Sequence, residues 1–345
     1  MKAAILFETG QPLKIVDGIA LPELTTGQVQ VKILYSGLCH SQLMEVSGGR
    51  GEDKYLPHLL GHEGVGIVES VGEGVSKVQP GDKVVIGWLK GDGLDAPGGK
   101  YPHDGYLINS GSATTLSEKS IVAENRVVKL PADFPEKIAI LFGCALPTGM
   151  GIVFNELKPE SEKHIAIFGM GGIGMSALLA AKLFSPTKLI AVDVSPQKLE
   201  IAKQLGATHT IDASSCDPVS EIIKLTNNIG VDYSIEAGGT TRTIEQAFES
   251  VKDNGGQCIF ASHPRAEEKI ALEPHAFHRG KSIRGSWGGG SKPDVDIPKF
   301  IKLYQNNEVD LEALLSRVYR LDEVNEALED LKNKKIIRAV IEIAS

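Results

Sequence analysis

The chain has 345 residues, enough for about two domains, and its 42% hydrophobic and 23% charged residues exclude a disordered chain. Lys and Arg number 36 against 44 Asp and Glu, and the formal net charge of −8 argues against nucleic acid as a partner. The cysteines, Cys39, Cys144, Cys216 and Cys258, are scattered and form no C-x-x-C pair, which excludes a secreted disulfide scaffold, and no apolar run reaches the roughly 18 residues of a membrane span.

With no signal peptide in the opening M-K-A-A-I-L-F-E-T-G, these features predict a cytoplasmic protein with reduced thiols and no membrane partner. From residue 1 to about 130 the chain reads as β-rich. Short apolar runs at Val29–Leu34, Gly66–Val71 and Lys83–Ile86 are broken by Thr26-Gly27, Glu73-Gly74 and Pro80-Gly81-Asp82, a spacing that suggests a small barrel or sandwich.

Near residue 147 the pattern changes. Strands at His164–Phe168, Lys188–Val192, His209–Ile211, Asp232–Glu236 and Gln257–Ala261 alternate with helices at Ala177–Phe184, Pro196–Leu205, Val219–Thr226 and Thr241–Val251. This alternation predicts an α/β domain with a doubly wound parallel sheet. Another change follows Gly288-Gly289-Gly290 and Pro293. Helices are expected at Ile297–Asn306 and Glu323–Lys332, and a last strand at Ile336–Ile343.

Directly after the strand at 164–168 stands G-M-G-G-I-G, which holds G-x-G-x-x-G as Gly169, Gly171 and Gly174, with Gly172 inside it. Gly169 allows the tight turn, Gly171 lets backbone approach a pyrophosphate, and Gly174 lets helix pack on strand. The helix N-terminus offers N–H groups to the phosphates. Asp193, which ends L-I-A-V-D, suits the adenosine ribose and repels a 2′-phosphate; Val194 and Ser195 bring no Arg, so NAD is expected over NADP. The plainer alternative for Asp193 is a helix N-cap before Pro196.

The second constellation is spread over G-L-C-H-S, G-H-E-G and G-C. Cys39, His62 and Cys144 could supply a Cys₂His set with one open position, as catalytic zinc sites do, although spacing alone makes this a weak signal.

G-L-C-H-S, G-H-E-G-V-G-x-V, G-D-K-V and the glycine fingerprint occur in the order seen in zinc-dependent medium-chain alcohol dehydrogenases, and the chain resembles that family nearly end to end. The resemblance implies a GroES-like catalytic domain from residues 1–146 and 288–345, a Rossmann domain from 147–287, and an active site in the cleft between them. It implies Cys39, His62 and Cys144 as catalytic zinc ligands, and Glu63 as a carboxylate able to enter the zinc sphere. Ser41 resembles the hydroxyl that takes the alcohol proton. His40, Thr148, Lys198 and Arg338 resemble cofactor contacts at phosphate, nicotinamide, adenosine ribose and pyrophosphate. Trp88 falls where the family has an aromatic wall of the substrate pocket. Plainer readings stand beside these: Glu63 and His40 as surface groups, Ser41 as a helix N-cap, Lys198 and Arg338 as solvated charges, Thr148 as a turn residue and Trp88 as core.

Three departures mark this chain. The stretch Leu89–Leu116 has none of the cysteines that hold a structural zinc in many members, which predicts one zinc per chain and a loop held by its own packing. Gln42 stands where an aspartate usually orients the zinc-bound histidine, and its amide is expected to accept a hydrogen bond there. Met44 stands where several members end a proton relay with histidine. His103 and Asp104 lie in the replaced loop; His263, His275 and His278 read as surface or cofactor-loop residues.

The resemblance implies reversible hydride transfer between a small alcohol and NAD, with Ser41 passing the proton toward solvent, in a homodimer or homotetramer. The alternatives are a polyol, sugar or amino-alcohol dehydrogenase of the same family and a zinc-free quinone or enone reductase.

Overall fold

The computed structural model describes residues 1–343. It divides into two compact units: Met1–Cys144 with Lys292–Lys299 and Leu315–Ser345, and Ala145–Ser291 with Phe300–Leu314. The expected return of the whole segment 288–345 to the first domain differs from this division. Phe300 is fully buried in the second unit, where its ring stacks on Phe154 at 5.9 Å. Ser291 is likewise held there by its Oγ, which donates to Pro147 O at 2.6 Å.

Among its described residues the first unit has two sheets. One orders Lys14–Val16, Ala3–Leu6, His58–Leu59, Tyr106–Asn109 and Lys100–His103. The other orders Val127–Lys129, Lys83–Ile86, Gly64–Val71, Gln28–Leu38, Ala339–Glu342 and Val318–Arg320, with Lys119–Ala123 also on Gln28–Leu38. Val29, Val31 and Ile33 alternate into the core while Gln30 and Lys32 face outward, the period of a half-buried strand. The strand runs past the expected Leu34 to Leu38, with register shifts at Gln30/Val31 and Ile33/Tyr35. That extension delivers Cys39 to the edge of the core.

The second unit holds a parallel sheet ordered His209–Asp212, Lys188–Asp193, His164–Phe168, Tyr233–Glu236, Gln257–Phe260 and Ser282–Gly285. Numbered along this domain the order is 3-2-1-4-5-6, that of a doubly wound dinucleotide-binding sheet. Its helices begin where local chemistry dictates. Ser195, Asp217 and Thr240 cap Pro196–Leu205, Pro218–Leu225 and Thr241–Ser250 by accepting from the third backbone N–H, and proline opens the first two. Ser195 is therefore the N-cap at that point, not Asp193.

Candidate active site

Cys39, His62 and Cys144, far apart in sequence, each bring one ligand atom to within 4.8 Å of the others. Cys39 is the N-cap of helix His40–Val46, so the helix starts one residue before Ser41 and Ser41 is not its cap. Cys144 sits between the short helical segments Ile140–Gly143 and Ala145–Gly151. His62 and Glu63 lead into strand Gly64–Val71. Their backbone is fixed through Glu63 O, which accepts from Gly37 N at 3.0 Å, Thr115 Oγ1 at 3.0 Å and Ser36 Oγ at 3.2 Å.

Glu63 is wholly buried, not a surface carboxylate, and its Oε1 accepts from Arg338 Nη1 at 2.7 Å. Sequence reading missed this partnership. The strand pairing explains it: Ala339 lies opposite Leu38, which sets Arg338 beside Cys39. Two glycines make the room. A Cβ on Gly37 would strike the Glu63 carboxylate, and one on Gly143 would lie 2.7 Å from Glu63 Cβ. Arg338 is 3% exposed, so it is not a solvated charge.

The charges around the sulfurs are mutually supporting. The Cys144 hydrogen bond, against the opposing effect of burial and with help from Arg338 and His62, holds the Cys39 thiol well below the ordinary thiol range. The same bond together with burial pushes Cys144 up. Burial lowers the tendency of His62 to protonate, but Cys39 and Glu63 outweigh it and its pKa rises. Burial raises the Glu63 carboxyl to about 6 against the pull of Arg338. Burial acts against the Arg338 cation, and Glu63 with the two cysteines more than offsets it.

This donor set suits zinc. Thiolate and imidazole are its preferred ligands, and tetrahedral bonds of about 2.0–2.3 Å put ligand atoms roughly 3.5–3.8 Å apart, within the observed cluster. Gln42, 1% exposed, ties the set to the helix: its Oε1 accepts from Cys39 N at 3.0 Å and its Nε2 lies 2.5 Å from His62 Nδ1. The amide oxygen is occupied by the Cys39 N–H, which leaves the nitrogen for the ring. Met44 packs its thioether on Gly49, where a Cβ would come within 3.1 Å of the sulfur.

In the second unit Gly169 has φ +90°, and a Cβ there would lie 2.5 Å from Gly238 Cα. A Cβ on Gly174 would collide with Gly169 O, whereas Gly171 faces open space. Gly171 is the N-cap of helix Gly172–Lys182 and brings no side-chain bond, so its first N–H groups stay available for an anion. Asp193 Oδ2 accepts from Met170 N at 2.5 Å and Oδ1 from Ser195 N at 2.9 Å, which ties the carboxylate to the glycine turn. Thr148 lies inside helix Ala145–Gly151, not in a turn; it is 4% exposed and its buried Oγ1 has no hydrogen-bond partner among the described residues. Lys198 is half-buried and its backbone N donates to Ser195 Oγ at 3.5 Å.

His40 is exposed, and Ser41 and Trp88 are half-buried. The loop after Trp88 is not held by its own packing alone. Glu124 Oε2 accepts from Leu94 N at 2.7 Å, while its Oε1 accepts from Ser76 N and Lys77 N at 2.6 and 2.7 Å. Asp294 adds a bond from Asp92 N at 2.6 Å and an ion pair with Lys77 at 2.5 Å. His103 and Asp104 pair at 3.4 Å at the turn of the hairpin formed by Lys100–His103 and Tyr106–Asn109.

The donor set and the 3-2-1-4-5-6 sheet define a zinc-binding dehydrogenase, and the comparisons agree. The alcohol dehydrogenase GroES-like domain family matches residues 25–132 and the zinc-binding dehydrogenase family residues 172–306. An alcohol dehydrogenase class-P of Arabidopsis thaliana is 30% identical over 99% of this chain and 96% of its own length. An S-(hydroxymethyl)glutathione dehydrogenase of Escherichia coli (strain SMS-3-5 / SECEC) is 30% identical over 99% of both chains. The benzyl alcohol dehydrogenase of Acinetobacter calcoaceticus superposes with a TM-score of 0.90 at 28% identity, covering 99% of each chain. The chain belongs to the zinc-type alcohol dehydrogenases of the medium-chain dehydrogenase/reductase family. It is an oxidoreductase of alcohols and aldehydes, and the family implies zinc and NAD as its cofactors.

Proposed function

We propose that this chain catalyses reversible, NAD-linked oxidation of small alcohols at one zinc held by Cys39, His62 and Cys144. The observation that carries the reading is the convergence of those three ligand atoms within 4.8 Å beside a buried Glu63–Arg338 pair. When bound, zinc supplies Lewis acidity toward an alcohol or carbonyl oxygen, and nicotinamide accepts or returns the hydride. Ser41, at the first turn of its helix, takes the alcohol proton and hands it toward solvent. Met44 has no proton to relay, so the proton held at Ser41 would leave by water, by the ribose of a bound cofactor or through another group.

Glu63 and Arg338 balance charge behind the ligands, and Glu63, next to His62 and with a buried Oε2 that has no hydrogen-bond partner, is the group that would exchange with a ligand. The turn Gly169–Gly172 with the N-terminus of helix Gly172–Lys182 holds the pyrophosphate. Asp193 and Lys198 take the adenosine ribose, Thr148 packs on the nicotinamide, and His40 and Arg338 serve the phosphates. Trp88 walls the substrate pocket and favours small alcohols over bulky ones. The family setting supports a homodimer or homotetramer in the cytoplasm. Strand Ser282–Gly285, at the end of the order in its sheet, is the edge through which copies would pair. Among the described residues no single helix is long and apolar enough to cross a membrane.

The test is NADH absorbance with a panel of primary and secondary alcohols, polyols and aldehydes. Turnover of small alcohols that disappears in Cys39→Ser supports the reading; full activity in Cys39→Ser refutes it.

A further inference from the structure

Glu236 is a buried carboxylate that no part of the reaction above uses. It ends strand Tyr233–Glu236, opposite Phe168 in the neighbouring strand, and its relative exposure is 0%. Among the described residues no cation pairs with its side chain. Instead Oε1 accepts from Gly238 N at 2.7 Å, Gly239 N at 3.0 Å and Thr243 Oγ1 at 2.7 Å, and Oε2 accepts from Ser262 Oγ. Burial pushes this carboxyl up and the four donors resist that shift. A buried carboxylate costs several kcal/mol to desolvate, so a site that keeps one on neutral donors alone is holding those donors in place.

What the donors hold is the wall of the nucleotide turn. Ala237 N donates to Phe168 O at 2.8 Å, and Gly238 approaches Gly169 so closely that a Cβ on Gly169 would lie 2.5 Å from Gly238 Cα and N. On its other side the turn is tied by Gly169 N to Val192 O at 2.7 Å and by Met170 N to Asp193. A Cβ on Gly171, the residue aimed at a pyrophosphate, would meet nothing within 4 Å, and Gly171 O accepts from Met175 N at 2.9 Å. The turn that presents its N–H is held by these two flanks and by the helix that follows, and Glu236 fixes one of the flanks. The same carboxylate reaches the first turn of helix Thr241–Ser250 through Thr243 and the segment after strand Gln257–Phe260 through Ser262. These are chain segments at the C-terminal edge of a parallel sheet, where such folds bind ligands.

We propose that Glu236 is a positioning residue for the dinucleotide: by clamping the Gly238–Gly239 turn it sets the distance between the Gly169–Gly172 turn and the pyrophosphate. This inference rests on the dinucleotide reading of that turn. It makes a demand that plain stabilisation does not: loss of the clamp weakens ligands that carry the pyrophosphate and spares the adenosine end, which sits on Asp193.

The experiment measures dissociation constants of the zinc-loaded full chain for NADH by fluorescence, and for ADP-ribose and adenosine by competition, with Tm recorded beside them. Glu236→Asp withdraws the carboxylate by one methylene. It is expected to weaken NADH and ADP-ribose about 10-fold or more and adenosine by less than about 2-fold, as small misplacements of binding groups do. Glu236→Gln keeps the length and one acceptor oxygen and is expected to retain most of the affinity. Gly238→Ala tests the same contact from the other side, since its Cβ would press Thr243 Cγ2 at 3.1 Å and Glu236 Oε1 at 3.3 Å. It is expected to weaken ADP-ribose in the same sense whether or not Glu236→Asp folds. A lowered Tm with unchanged NADH and ADP-ribose binding, or equal weakening of all three ligands, overturns the proposal. Wild-type protein that binds neither NADH nor ADP-ribose overturns instead the dinucleotide reading beneath it.

Discussion

Arg338 and Glu63 stand 275 positions apart in sequence, yet Nη1 of the first donates to Oε1 of the second at 2.7 Å, with side-chain exposures of 3% and 0%. The pair joins the residue before strand Ala339–Glu342 to the residue after His62, a candidate metal ligand. Breaking one side of a buried pair leaves an uncompensated charge and typically costs about 3–5 kcal/mol, while replacing both partners can be nearly neutral. Arg338→Met is therefore expected to lower the urea midpoint sharply, and adding Glu63→Gln to recover much of the loss. A double variant no better than the sum of its singles would show that the two residues do not act as a pair.

Gln42 gives a prediction about metal affinity. A neutral imidazole that ligates through Nε2 keeps its proton on Nδ1, which then needs an acceptor. Gln42 has turned its oxygen to Cys39 N and its nitrogen to His62. A single amide oxygen cannot serve the Cys39 N–H and a ring N–H both at full strength. A carboxylate serves both donors at once, so Gln42→Asp is expected to tighten zinc by about 10–100-fold in chelator competition. Unchanged affinity would mean that the amide imposes no such conflict.

Glu124 holds the loop that lacks the structural-zinc cysteines. Burial acts to raise its pKa, and the backbone N–H groups of Leu94, Lys77 and Ser76 more than offset this, so it lies below the ordinary carboxylate value. A depressed folded-state pKa contributes stability above the unfolded value, about 4.3, and loses it as pH falls through the lower folded value. Glu124→Gln is expected to cost about 2 kcal/mol at pH 7 by urea denaturation, with the gap to wild type closing below about pH 4. A gap that is constant with pH would assign the loss to shape and not to charge.

Asp193 is expected to select NAD by repelling a 2′-phosphate. Asp193→Ser combined with Val194→Arg, at a position 41% exposed in wild type, should raise kcat/KM for NADP relative to NAD by at least about 10-fold. No change in that ratio would place the ribose elsewhere. Asp193 also anchors Met170 N, so some loss of NAD affinity is expected in the same variant.

The parts of this protein that were legible in its sequence are those set by local chemistry. His164–Phe168 and Pro196–Leu205 fall where periodicity and Ser195-Pro196 place them, and Gly169 and Gly174 make the close backbone approaches that their spacing implies. The pairing of Arg338 with Glu63 was not legible, because it depends on the register that sets Ala339 against Leu38. Nor was the purpose of Gly37 and Gly143. Both precede cysteines that attract attention, and the reason for them is the carboxylate they admit. Glu124 was missed because its bonds run to backbone N–H groups, which carry no residue-type signal. The grouping of Phe300–Leu314 with the second unit, where Phe300 stacks on Phe154, is a tertiary relationship that periodicity does not report.

The most direct measurement is zinc per chain together with NAD-coupled turnover of a small alcohol, in wild type and in Cys39→Ser and Cys144→Ser. Wild type is expected to hold about one zinc and to lose turnover when a chelator removes it; each variant is expected to hold little zinc and to be inactive. Turnover that survives in zinc-free protein, or zinc retained in full by both variants, would contradict the site built here from Cys39, His62 and Cys144.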